Sequence, residues 1–316
     1  MKSAHVNRLE INVPTTRPAD DSPAAEPQAC AFTASSREPN VPPVPCSVVV
    51  LTLNEHLNIT ECLQSLHQFA EVHVLDSGST DATAEIARQL GRKVTVHRFE
   101  SFAAQRNWAH DQLTLAHEWV LHLDADERMT PDLVAEIRDV IAADAGAMGG
   151  YYLAERTMLH GQWLRHASQY PRYQARLVHR QRMRFVDHGH GQREQSQFPF
   201  GRLSQPYRHL AFSHGIEHWL HKHVGYAVRE AQLVRTSNAT WRDLFAEALG
   251  SSGIGRRRAL KSLSQRVPLR PQLRWFYVLV VCRGVLDGKA GLQYARMMKT
   301  FQEMIDLCLH ERAANR

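Results

Sequence analysis

The sequence predicts an α/β chain: a doubly wound, mostly parallel sheet with helices on both faces, followed by a helical, basic C-terminal extension. Three observations carry this. First, β-branched apolar runs alternate with helical stretches of roughly 10–15 residues between residues 46 and 150, the rhythm of parallel strands joined by crossover helices. Second, the acids that interrupt apolar runs stand just after the strands, where ligands bind in such sheets. Third, charge is split along the chain: residues 46–150 carry a net charge of −9 and residues 151–316 carry +16. The 316 residues are 43% hydrophobic, enough for a substantial core and against global disorder. Five cysteines, with no CxxC pair and one left over, point to a reducing compartment rather than a disulfide framework. The N-terminus has no apolar run of the kind a cleaved secretion signal needs, so a cytoplasmic location is expected.

Taken in order, residues 1–45 hold eight of the fourteen prolines and little periodic apolar content, and are expected to be a disordered tail. "SVVVLTL" (47–53) reads as a buried strand. Asn58 with Glu61 three residues later resembles a capping box for the helix "ITECLQSL". "EVHVL" (71–75) is a second strand ending at Asp76, and "DSGSTD" is a turn. "ATAEIARQL" is a helix closed by Gly91. "KVTVHRF" is a third strand, "FAAQRNWAHDQLTLA" (102–116) a helix and "EWVLHL" (118–123) a fourth strand. Thr130 and Pro131 fit the N-cap and first position of "DLVAEIRDVI". Beyond residue 150 the pattern shifts to shorter, antiparallel-type strands, and helices dominate from about residue 216.

The stretch "LHLDADER" (121–128) concentrates the chemistry. Asp124, Asp126 and Glu127 follow an apolar strand almost side by side, an arrangement that repulsion and lost hydration make costly unless positive charge offsets it. Two carboxylates one residue apart can hold a hard divalent cation, Mg²⁺ or Mn²⁺, with phosphate oxygens completing the shell. Haloacid-dehalogenase-type phosphatases also place DxD after a strand, but with Thr or Val two residues later; here Arg128 stands there, on the fourth strand rather than the first.

"LTLNE" (51–55), "VLDSGSTDAT" (74–83), "FAAQRN" (102–107) and "WVLHLDADE" (119–127) together resemble the family 2 glycosyltransferases of the GT-A type, and the "DSGSTD" form is similar to the lipopolysaccharide-core β-glucosyltransferase branch. The resemblance covers roughly residues 46–150 and continues more loosely through "YPRYQARLVHR", "KHVGYAVREA" and "RGVLDGKAGLQYA". It implies an inverting transferase that moves a sugar from a nucleotide-sugar donor to a saccharide or lipid-linked saccharide acceptor in cell-envelope polysaccharide synthesis. It implies that Thr52, Asn54, Glu55, Asp76, Ser77, Arg106, Asn107 and Asp124 line the nucleotide-sugar site, with Asp76 on the base. Asp124 and Asp126 would be the DxD on the metal. Relatives carry a Glu after "VH" where this chain has His190 followed by Gly191, so the carboxylates expected to serve as general base are Glu194, preferred, and Asp187. His188 and His190 are read as ordinary hydrogen-bonding groups, as are His218, His221 and His223, whose spacing does not complete a zinc set.

The domain organisation expected is a tail (1–45), a glycosyltransferase domain (46–215, with a donor-binding half to 150 and an acceptor-side half from 151) and a helical basic extension (216–316). "WFYVLVVC" (275–282), too short for the about twenty residues that span a bilayer, is either a helix buried on the domain or an interfacial helix. The basic charge tilts the expectation toward an anionic membrane surface as a further partner. The alternative function is a non-catalytic basic binding module for membrane or nucleic acid. Nucleic acid is not expected, because the interleaved aromatic and basic residues of RNA-binding sheets are absent.

Overall fold

The computed structural model describes residues 42–188, 191–236, 241–250 and 269–311. The expected tail lies outside them, apart from its last residues. β1 (Val44–Thr52), β2 (Phe69–Asp76), β3 (Lys93–Val96) and β4 (Trp119–Asp124) run parallel in the order β3-β2-β1-β4. The chain steps outward from β1 through β2 to β3, then returns to the other side of β1. This leaves a topological switch point between the carboxyl ends of β1 and β4.

The unbroken apolar run of β1 follows from burial on both faces. Val48 and Val50 pack with Val74, Leu121 and Leu123 under α1 (Ile59–Gln64) and α4 (Pro131–Ala142). Val49 and Leu51 pack with Leu75 and Val120 under α3 (Phe102–Gln112). α2 (Thr83–Gln89) links β2 to β3. The expected doubly wound arrangement is present.

Three local expectations are corrected. Asn58 makes no capping hydrogen bond; its amide donates to Glu55 and Ser213 and accepts from Arg128, so it joins loops instead of closing a helix end. β3 stops at Val96 because its sole neighbour β2 ends opposite, at Asp76. α3 stops at Gln112 because the following backbone is claimed elsewhere: the Ala116 N–H donates to Glu71 and the His117 N–H to Ser47. Thr130 caps α4 as expected, accepting from the Leu133 N–H at 3.3 Å, with Pro131 in the first turn.

The second half extends the same sheet. β8 (Arg172–His179) pairs antiparallel with β4 and with β6 (Gly150–Leu159), which carries the short β7 (Gln162–Trp163) on its end. β11 (Phe200–His209) runs parallel to β6 and pairs antiparallel with β5 (Glu127–Arg128). β9 (Met183–His188) and β10 (Gly191–Ser196) form a separate hairpin against α3. Helices follow: α5 (Gly215–Thr236), α6 (Trp241–Gly250), α7 (Arg270–Phe276), a π turn (Tyr277–Val281), a 3₁₀ turn (Gly284–Asp287) and α8 (Gly288–Glu311). α8 packs on α5 and α7, and Leu159, Leu164, Ala167, Trp219, Val278 and Ala295 form their shared core. Among the described residues no helix is long and apolar enough to cross a membrane. Cys46, Cys62, Cys282 and Cys308 are free thiols.

Candidate active site at the switch point

Two loops knit together at the ends of β1 and β2. Asn54 adopts a left-handed backbone (φ 56°). Its N–H donates to Ser79 and its side-chain oxygen accepts from the Thr80 N–H, both at 2.8 Å. The Glu55 N–H donates to Thr83 at 2.7 Å. Asp76, buried, accepts from the N–H groups of Gly78 (3.1 Å) and Ser79 (2.8 Å), so its carboxylate shapes the turn that follows it. Gly78 has φ +94°, a conformation few side chains tolerate. The Ser77 hydroxyl accepts from Gln105 of α3 at 3.3 Å. Thr52 is buried with its hydroxyl unpartnered among the described residues. Glu55 lies 3.0 Å from the His214 ring.

The acids after β4 are held by cations from far along the chain. Asp124 takes Arg106 on one oxygen (3.3 Å) and Arg176 on the other (2.7 Å). Arg176, at 1% exposure, also ion-pairs with the fully buried Glu127, whose other oxygen accepts the Asp124 N–H at 3.0 Å. Burial would raise the Asp124 carboxyl, but Arg176 and Arg106 hold it well below the usual range. Burial raises the Glu127 carboxyl against the opposing pull of Arg176. Burial and the nearby Arg176 bring Arg106 down to about 10. The cost that the sequence exposes at 124–127 is thus offset largely by two arginines.

Asp126 faces a different cation. Its Oδ2 is 3.3 Å from Nε2 of His209, whose Nδ1 lies 3.6 Å from Glu155. Burial alone would lower the imidazole; Asp126 and Glu155 outweigh it and hold His209 well above the usual range. Without a metal, the charge facing Asp126 is thus that of protonated His209, and the ring would have to lose this proton before it could join Asp126 around a cation. The donors fit a divalent cation: a carboxylate oxygen and an imidazole nitrogen at the crevice, with the second ring nitrogen backed by a carboxylate, as ligating histidines commonly are. Among the described residues no set of three His, Cys, Asp or Glu is poised around one point, so the remaining positions would fall to a ligand.

Other expected residues lie elsewhere. Asn107 uses its whole amide on β9, donating to the Phe185 carbonyl (2.8 Å) and accepting from the Phe185 N–H (3.0 Å), so it staples α3 to the hairpin. Glu194 accepts from the Tyr152 hydroxyl on the α3 side of the sheet. Asp187 is exposed on β9, two strand positions from Phe185. Neither makes a contact with Asp124 or Asp126. His190 and the His188 side chain lie outside the described residues. His223 is structural, donating from Nδ1 to the Trp219 carbonyl (2.8 Å) and stacked on that indole. Sequence reasoning passed over Arg176 and His209; the one signal was a charged residue inside each of two otherwise strand-like runs.

Residues 47–200 match the family described as glycosyl transferase family 2. The chain is 29% identical over 150 residues to the lipopolysaccharide core biosynthesis glycosyltransferase LpsC of Rhizobium meliloti, covering 46% of this chain and 54% of that protein. It is 36% identical over 98 residues to an uncharacterized glycosyltransferase of Rickettsia felis, covering 31% and 34%. The chain thus spans about half the length of the first relative and a third of the second. Among solved structures, TarS 1–349 of S. aureus in complex with UDP aligns over 86% of this chain and 92% of its own at 15% identity and TM-score 0.41. Glucosyl-3-phosphoglycerate synthase of Mycobacterium tuberculosis, bound to Mn²⁺, UDP and glucosyl-3-phosphoglycerate, aligns over 36% and 44% at 21% identity and TM-score 0.30.

Proposed function

We propose, from the premise that residues 47–200 are a glycosyl transferase family 2 domain, that this protein is an inverting glycosyltransferase. It moves a sugar from a nucleotide-sugar donor to a saccharide or lipid-linked saccharide acceptor of the cell envelope, and works at an anionic membrane surface. The observation that carries the reading is convergence: the loops at 52–55 and 76–83 hydrogen-bond to each other, Gln105 joins the second to α3, the Ala125 N–H donates to the Leu51 carbonyl, and Arg106 ion-pairs with Asp124.

Each group has a task there. Asp76 keeps the 77–79 turn open for the base, and Thr52, Asn54, Glu55 and Ser77 line the nucleoside. Arg106 and Arg176 keep Asp124 ionised and fixed in direction. Asp126, with His209 beside it, is the pair that would hold Mg²⁺ or Mn²⁺. When bound, such an ion offsets the charge that develops on a leaving diphosphate. Asn107 acts at one remove, by fixing α3 and hence Arg106. The general base is assigned to the β9–β10 hairpin, to Glu194 or Asp187; the Tyr152 hydroxyl already occupies one Glu194 oxygen, which favours the freer Asp187.

A screen of nucleotide sugars for Mn²⁺-dependent hydrolysis, followed by transfer to envelope saccharides, tests the reading. One donor class should turn over, with inverted configuration in the product. Turnover should collapse in Asp187→Asn with donor affinity kept, and fall less in Glu194→Gln. Absence of turnover with every donor would contradict the enzyme reading; full activity in both variants would move the base out of the hairpin.

A further inference from the structure

The helical C-terminal part carries an apolar surface that its own fold leaves uncovered. Val278 and Leu279 point inward to the core with Leu159, Leu164 and Trp219. The opposite side of the same segment exposes Leu273, Phe276, Val280 and Val281, and the adjoining 3₁₀ turn exposes Val285 and Leu286, at 65% and 64%. A contiguous patch of this kind on a soluble surface marks an interaction site.

The exposure is built in. The buried Asp287 accepts hydrogen bonds from the N–H groups of His166 (2.9 Å) and Ala167 (2.7 Å), clamping the turn to the body of the protein. A Cβ on Gly284 would come within 2.6 Å of the Val278 carbonyl, and one on Gly291 within 2.0 Å of the Gly284 carbonyl. The turn is therefore held with Val285 and Leu286 outward.

The rim decides the occupant. Residues 269–296 contain Arg270, Arg274, Arg283, Lys289 and Arg296 and one acid, the buried Asp287; Arg270 is largely covered and pairs with Asp306 at 3.9 Å, which leaves Arg274, Arg283, Lys289 and Arg296 for the rim. Trp275 and Tyr277 supply the aromatic groups that favour a headgroup boundary. Beside the patch a cavity of about 350 Å³, lined by Arg165, His166, Gln169, Tyr170, Tyr277 and Cys282, offers donors for a phosphate. A two-fold contact with a second copy would set this positive rim against itself. We infer that the face formed by α7, the π turn and the 3₁₀ turn docks on an anionic phospholipid bilayer, its apolar residues entering the acyl boundary and its arginines and lysines meeting lipid phosphates. This rests on the membrane contact proposed above and assigns it a face; it needs no donor, so its failure would leave the transferase reading intact.

The test is co-sedimentation of the full chain with vesicles of phosphatidylcholine alone or mixed with phosphatidylglycerol, with sedimentation velocity run in parallel without lipid. Strong binding is expected only to the mixed vesicles. The double variant Val285→Asp/Leu286→Asp should weaken it on the order of tenfold, and Arg283→Glu/Lys289→Glu should do likewise, each with an unchanged thermal transition. If the apolar variant fails to fold, the charge variant alone decides. Brominated lipid should quench tryptophan fluorescence of the wild type. Failure to bind mixed vesicles, binding indifferent to both variants, or a lipid-free dimer broken by Val285→Asp/Leu286→Asp without vesicle binding would overturn the inference.

Discussion

At the scale of single residues, Arg176 is the hinge of the acidic cluster, since among the described residues it alone ion-pairs with both Asp124 and Glu127. Removing one partner from a buried charge network leaves the others uncompensated, which typically costs about 3–5 kcal/mol. Arg176→Met should therefore lower stability by about that much in urea denaturation, and Arg176→Lys should recover only part, because an ammonium cannot fork to two carboxylates as a guanidinium can. A loss below about 1 kcal/mol would show that the cluster is neutralised otherwise. Asp76 has a different place, anchoring its own turn on a separate strand. Asp76→Ala should weaken nucleotide binding while leaving the metal dependence of the residual binding unchanged. Calorimetry with and without Mn²⁺ distinguishes that from a metal-site defect.

At the scale of elements, Glu71 ties β1, β2 and the approach to β4 together. Burial would raise its carboxyl, but the Ser47 hydroxyl, the Ala116 N–H and the His73 ring 2.8 Å away outweigh this and bring it down to about 2. A depressed folded-state value contributes stability that is present above the unfolded value of 4.5 and is lost as pH falls toward 2. Urea midpoints should accordingly fall between pH 4.5 and pH 2, and Glu71→Gln should flatten part of that slope while lowering stability at pH 7. Gly291→Ala should destabilise the helical part through the clash with the Gly284 carbonyl, measurable as a lower melting temperature. The strands and helices up to residue 142, apart from the two-residue β5, were legible because each carries its own periodicity and, for α4, its own cap. The strand-end acids were legible as an electrostatic expense. Arg176 and His209 were not, because pairing them with Asp124 and Asp126 depends on β8 joining β4 and β11 joining β5, contacts made over 52 and 83 residues of chain. Asn58 and Asn107 misled for a related reason: an amide's partners are tertiary.

At the scale of the whole molecule, the split between an acidic donor half and a basic remainder acquires a structural sense. Cations from the later strands, Arg176 and His209, reach back to complete the crevice formed by the earlier ones. Of the other cations, Arg283, Lys289 and Arg296 stay outward on the exposed side of the helical part. Catalysis and membrane contact would thus draw on the same compositional asymmetry in separate places. The most direct measurement is isothermal titration of a nucleoside diphosphate into wild type and Asp126→Ala, each with and without Mn²⁺. The account predicts that Mn²⁺ strengthens binding to the wild type by at least about tenfold, about 1.4 kcal/mol, and that the gain disappears in Asp126→Ala with the weak metal-free binding retained. Equal affinity with and without Mn²⁺ in the wild type, or a full Mn²⁺ gain in Asp126→Ala, would contradict it.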